Sequence, residues 1–135
     1  MRIDSSYPVL MVPDVAAAGE FFVHHFGFAV SFSSDWYVSL RHPEPPHAEL
    51  AFLRPDHPTI PGGRGRPAAG VLVNFEVADA AAAWERFRAS DVPVLLPIRD
   101  EDFGQRHFIL DGPGGVLVDV IQNIAPSAEY AAAYR

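Results

Sequence analysis

"YPVLMVPDVAAAGEFF", from Tyr7 to Phe22, and "VLVNFEVADAAAAWERF", from Val71 to Phe87, are one pattern written twice. Val12 and Val77, Asp14 and Asp79, and Phe22 and Phe87 stand at matching places, each pair 65 residues apart. Each copy reads as a short apolar strand, an acidic residue at a helix start and an Ala-rich helix, followed by a run of strands. A duplicated unit of this size predicts two similar half-domains that share one site.

Working outward from the repeat, Val9–Val12 is an apolar run that ends at Pro13-Asp14, so it reads as a buried strand stopping at a turn. Asp14 is suited to cap a helix over Val15–Phe26, with Phe21, Phe22 and Phe26 near one face and Gly27 closing it. Strands are expected over Phe28–Ser33, Asp35–Arg41 and Ala48–Leu53. In the second copy the strand is Val71–Val77, and Asp79 caps a helix through Ala89. Further strands are expected at Val92–Leu96, His107–Leu110 and Val116–Ile121, the last two joined by the "DGPGG" turn. Trp84 and Phe87, like Phe21 and Phe22, read as the core faces of their helices. The expected fold is α+β: one domain over 1–135, with a first βαβββ module at 7–54 and a linker at 55–70. A second module follows at 71–123, and a tail of weak helical character at 124–135. Two curved mixed sheets with outer helices would leave concave inner faces for a ligand.

Composition narrows the function. With 49% hydrophobic and 12% aromatic residues, 135 residues can build a real core. There are no cysteines, which excludes disulfides, thiolate metal sites and cysteine nucleophiles. A net charge of −7 with scattered Arg argues against nucleic acid. No apolar run approaches a membrane span and no signal-peptide pattern opens the chain, so a cytoplasmic protein with a small-molecule partner is expected. His24-His25 lies on a helix without an i+4 partner and is expected to be exposed. His42, His47 and His57 sit in Pro-rich loops without zinc spacing. "PGGRGR" lacks a Walker lysine, and no nucleophile-elbow pattern is present.

The duplicated βαβββ unit, with "YPVLMVPDV", "AELAFL" and "FGQRHFILDGPGGVLVDVIQ", resembles the vicinal oxygen chelate superfamily over Tyr7 to about Asn123. That group includes glyoxalase I, bleomycin-resistance proteins, fosfomycin-resistance enzymes and extradiol dioxygenases. The resemblance implies the glyoxalase-like fold. It does not choose between enzyme and binder, because the fold hosts both.

The family's enzymes hold one divalent metal with four side chains, usually His or Gln, Glu, His and Glu. The resemblance places those positions at Tyr7, Glu49, Leu72 and Asp119. Both positions where a His is expected have lost it, and leucine cannot ligate. His107 could complete a set with Glu49 and Asp119, or it could be a polar cavity wall bonded to a ligand or to Asp119. The expectation is no catalytic metal and no cofactor. If Asp119 faces the cavity, as the resemblance implies, strand alternation puts Leu117 and Ile121 there too, with Val118 and Val120 toward the helix. His107 and Ile109 join the cavity side by analogy with the family's hairpin. Glu49 is read either as a carboxylate at a wet cavity mouth or as an acceptor for a ligand's hydroxyl or amine. A metal-free general base is the third reading.

In the family's metal-free bleomycin-binding members, two subunits form clefts for a flat aromatic antibiotic. By that resemblance Phe32, Trp36 and Tyr37 line the cleft, although Trp36 also fits a core face with Val38 and Leu40. Tyr7 and Asn74 face the same space. "RDEDFGQRH", Arg99–His107, is either a mobile lip with Phe103 as its lid residue or an ordinary solvated connection. The first functional expectation is a homodimer that sequesters a toxic planar natural product of the glycopeptide, quinone or anthraquinone kind, without metal. The alternative is a lyase, isomerase or dioxygenase using Glu49, Asp119 and His107. A third is a regulatory or chaperone-like ligand role.

Overall fold

A computed structural model describes residues 1–135. It forms two compact units: Met1–Ala69 with the Pro113–Gly115 turn, and Gly70–Gly112 with Val116–Arg135.

In the first unit, β1 (Val9–Met11) leads into α1 (Val15–Phe26), followed by β2 (Ala29–Ser33), β3 (Tyr37–Arg41) and β4 (Glu49–Leu53). The Asp14 carboxylate accepts from the Ala17 N–H at 3.0 Å, satisfying one donor of the first helical turn. Gly27, at φ 74°, ends the helix in the left-handed conformation that glycine adopts at least cost. The strands pair in the order β1-β4-β3-β2, with β1 parallel to β4 and the other pairs antiparallel. In register, Val38 stands opposite Phe52 and Leu40 opposite Leu50, and all four are buried beneath α1. Phe22 stacks on Phe52 at 5.5 Å between ring centroids. Gly19 lets the helix sit low on the sheet, since a Cβ there would stand 3.0 Å from Val38 Cγ1.

The second unit repeats the plan with β5 (Leu72–Glu76), α2 (Ala80–Arg88), β6 (Val94–Glu101), β7 (Gln105–Asp111) and β8 (Leu117–Asn123). Its order is β5-β8-β7-β6, again with the first strand parallel to the last. Asp79 caps α2 through the Ala82 N–H at 3.0 Å, and Gln122 Oε1 accepts from the Ala80 N–H at 3.1 Å. Phe108, Leu110, Val118 and Val120 form the face under α2, where Trp84 and Phe87 meet Phe108 at 5.4 and 5.8 Å. The α+β duplication of βαβββ modules is therefore the fold of this chain.

Three local expectations are corrected. The strand expected to end at Leu96 continues to Glu101, and the next begins at Gln105, so Arg99–His107 is a tight hairpin and not a loop. The pattern was broken by register shifts between Val94 and Leu96 and between Leu96 and Arg99. Pro97 lies in that stretch, tolerated because β6 is an edge strand and Pro97 falls within the register shift, without a paired residue on β7. Phe22 and Phe87 are core, but Phe21 and Trp84 are only partly buried. His25 is partly covered, its ring 4.9 Å from Phe21, whereas His24 is exposed. The tail carries the short helix α3 (Ala128–Ala131).

Candidate functional site

Each sheet has one face under its helix and one face free of it. On the free face of the second sheet, Asn74, Asp119 and Ile109 lie side by side across β5, β8 and β7. The next row is Glu76, Ile121, His107 and Arg99, and beyond it Gln105 stands opposite both Asn123 and Glu101.

His107 and Asp119 are the buried polar residues there, at 6% and 3% exposure. His107 Nδ1 lies 2.8 and 3.1 Å from the two Asp119 carboxylate oxygens. With Asp119 ionised it can only accept, so Nδ1 carries the proton. His107 Nε2 lies 3.4 Å from Glu101 Oε1, and Arg99 Nε bonds the same oxygen. The result is a chain Arg99–Glu101–His107–Asp119 spanning three adjacent strands. Burial pushes the Asp119 carboxyl above its ordinary range, with the His107 contact pulling the other way. The Arg99 contact holds Glu101 below the usual carboxylate range despite some desolvation, and His107 adds to it. Asp100 is lowered by its bond to Arg106.

Arg99 and Glu101 were not singled out from the sequence. Both share the parity of His107 once the hairpin tip is placed at 102–104, so the missed turn hid them. Phe103 occupies that tip, 37% exposed, with its ring centroid 6.4 Å from the His107 ring.

On the free face of the first sheet, Phe32 lies opposite Ser39, which lies opposite Ala51, and Arg41 lies opposite Glu49. Glu49 is exposed. Phe32 is 50% exposed and meets Tyr37 edge-on at 6.0 Å. Tyr7 is 48% exposed; burial first and then the neighbouring Tyr7 raise the Tyr37 phenol. Phe32 and Tyr37 thus form a half-open aromatic pair, with Tyr7 near Tyr37. Trp36 adjoins Tyr37 on the other side: it precedes β3, its indole lies 5.7 Å from the Tyr37 ring, and His57 stacks flat on it at 3.8 Å and 13°. A hollow of about 770 Å³ lies between α1 and edge strand β2 and is lined by residues such as Phe21, Val23, His24 and Val30. None of the residues expected to bind ligand lines it.

The donor set does not fit the divalent metal of the family's enzymes. Leu72 is aliphatic, and a neutral tyrosine such as Tyr7 is a poor ligand for these metals. Both oxygens of Asp119 are engaged by His107, and no buried side-chain nitrogen or oxygen is left without a partner to be satisfied by an ion. No group of three or more His, Asp or Glu side chains is placed to hold one.

A family profile described as "Glyoxalase/Bleomycin resistance protein/Dioxygenase superfamily" matches residues 5–120. No match was found among curated proteins. A glyoxalase/bleomycin resistance protein/dioxygenase from Nocardioides is 20% identical, with a TM-score of 0.73 over 92% of this chain and 85% of that one. TioX from Micromonospora sp. ML1 is 18% identical, with a TM-score of 0.69 over 87% of this chain and 97% of that one. A lactoylglutathione lyase from Agrobacterium tumefaciens is also 18% identical, at 0.72, covering 90% and 95%. Likeness at this identity speaks for the fold alone. The matched profile spans both modules from before β1 into β8, and on that ground the chain belongs to the glyoxalase/bleomycin resistance protein/dioxygenase superfamily.

Proposed function

We propose that this protein is a metal-independent binder of a largely planar aromatic small molecule, held as a homodimer. The observation that supports it is the Phe32–Tyr37–Trp36 cluster, in which the Tyr37 ring meets both neighbours and Phe32 is half exposed, with half-exposed Tyr7 close to Tyr37. Exposed rings of this kind cost a protein solubility and suit stacking on a flat ligand, with each aromatic pair worth about 0.5–1.5 kcal/mol beyond its buried area. Glu49 and Arg41, opposite each other on the same face, offer an acceptor and a donor to polar substituents. Sequestration of a toxic natural product needs only affinity, and a nanomolar complex corresponds to about 12 kcal/mol.

The test is fluorescence titration of the protein with glycopeptide, quinone and anthraquinone antibiotics, followed by mass analysis of the recovered compound. Saturable binding, weakened roughly 2- to 10-fold by Phe32→Ala, is expected, with the compound recovered unchanged. A compound returned covalently altered would overturn the pure-binder reading.

An enzyme reading, a lyase, isomerase or dioxygenase, draws on one observation: His107 and Asp119 form a buried His–carboxylate pair of the kind that serves acid–base chemistry. Glu49→Gln discriminates. An enzyme using Glu49 loses turnover by orders of magnitude, while a binder changes affinity modestly.

A further inference from the structure

The tail after β8 returns to the β6–β7 hairpin and grips its tip. The Ile124 N–H donates to Gly104 O at 2.9 Å, and the Ser127 N–H donates to Asp102 O at 2.8 Å. The Tyr134 hydroxyl donates to the Phe103 carbonyl, and the Tyr130 ring meets the Phe103 ring edge-on at 6.2 Å. Every residue of the three-residue tip, Asp102 to Gly104, is thus bonded to the tail. Gly104 makes the approach possible: at φ 106°, a Cβ there would stand 3.0 Å from Ile124 O and 3.2 Å from Tyr134 Oη. These bonds go to the same tip whose Phe103 ring stands beside the His107 imidazole.

We propose that Tyr130 and Tyr134 are positioning residues. They fix Phe103 beside His107, and the tail thereby sets how readily a small molecule from solvent reaches that imidazole. Besides the tail, the tip is held by its own turn bond, from the Gly104 N–H to Glu101 O at 3.0 Å. It lies at the end of an edge hairpin, and Phe103 itself is more than one-third exposed. A hairpin tip whose outer strand is a sheet edge opens locally at low cost unless it is tied, and here ties come from the tail. His107 is nevertheless buried, which is what a tip held in place would produce. The inference concerns access to the second module's buried pair, and it goes beyond the ligand reading made for the first module.

The probe is diethyl pyrocarbonate, which acylates imidazole nitrogen, with the modified histidines located by peptide mass analysis. In the parent protein His107 is expected to react much more slowly than exposed His24. Tyr134→Phe removes only the hydroxyl, and Tyr130→Ala removes only the ring contact. Each is expected to raise the His107 rate about fivefold, the population change that corresponds to one net hydrogen bond or ring contact, with His24 unchanged. Phe103→Ala should raise it at least as much, and adding Tyr134→Phe to Phe103→Ala should then add nothing further. That non-additivity separates positioning through Phe103 from general loosening. An unchanged His107 rate in both tyrosine variants would overturn the proposal. So would a rise shared by all six histidines, or a further full increase when Tyr134→Phe is added to Phe103→Ala. The readout uses no antibiotic, so its failure would leave the binding proposal standing, and failure of the binding titrations would leave this one standing.

Discussion

At Asp119 burial and charge act against each other. The carboxylate is almost fully buried, its only side-chain partner is His107, and its proton is held more tightly in the folded chain than in an exposed aspartate. The sign of the pH effect follows. Because the folded pKa lies above the unfolded one, ionising Asp119 lowers stability as pH rises through that window. The penalty is complete above the folded pKa and absent below the unfolded value of about 3.9. Asp100 and Glu101, whose pKa values are lowered, behave oppositely: their contribution is present above the unfolded value and lost as pH falls through the folded one. Asp119→Asn keeps an acceptor for His107 and removes the charge. The variant is expected to melt higher than the parent at pH 7, with the difference closing toward pH 4, as thermal melts across that range would show. A variant that melts lower at every pH would mean that the ion pair outweighs the desolvation. Strand alternation alone was enough to put Asp119 on the face opposite Val118 and Val120. Glu101 was not legible, because its place depends on a hairpin tip that the broken pattern around Pro97 concealed.

At the scale of elements, the two helices were the most readable parts of the chain. Each has an aspartate at its start whose side chain closes on the third residue beyond it, and each carries a phenylalanine 65 residues from its counterpart that reaches the core. Phe22 is wholly buried, stacked on Phe52 and edge-on to Phe28 and Phe21. Phe22→Ala is expected to destabilise the protein by about 3–5 kcal/mol, measured by urea unfolding, because both transfer energy and a cavity are involved. A loss below about 1 kcal/mol would mean that the first module's core collapses around the gap. Strand ends were less legible than helices because their limits are set by partners. Edge strand β6 tolerates two register shifts and a proline that no periodicity rule anticipates, and the tail is ordered by bonds to a hairpin distant in sequence.

For the whole molecule, the 65-residue repeat made the architecture legible, while the ligand stayed hidden because ligand choice depends on exposed side chains that the core pattern does not constrain. That division yields a prediction. Phe32 is half exposed and lies away from the buried face of its sheet, so removing it should barely alter the ligand-free protein, by no more than about 0.5 kcal/mol. A ligand bound only by the folded state stabilises it through mass action, by about 2.7 kcal/mol at a hundredfold excess over its Kd. For a chain of 135 residues that corresponds to a rise in Tm of roughly 8–12 °C. The parent protein should show this rise with a planar aromatic antibiotic at saturating concentration, and adding a chelator should not diminish it, since the donor set does not fit a metal. Phe32→Ala should melt like the parent when free and show a smaller rise at the same ligand concentration. If Phe32→Ala and the parent are stabilised equally, the rings of the first module are not the binding surface, and the search moves to the His107–Asp119 face. If the chelator abolishes the rise in the parent, a metal takes part after all and the enzyme reading gains ground.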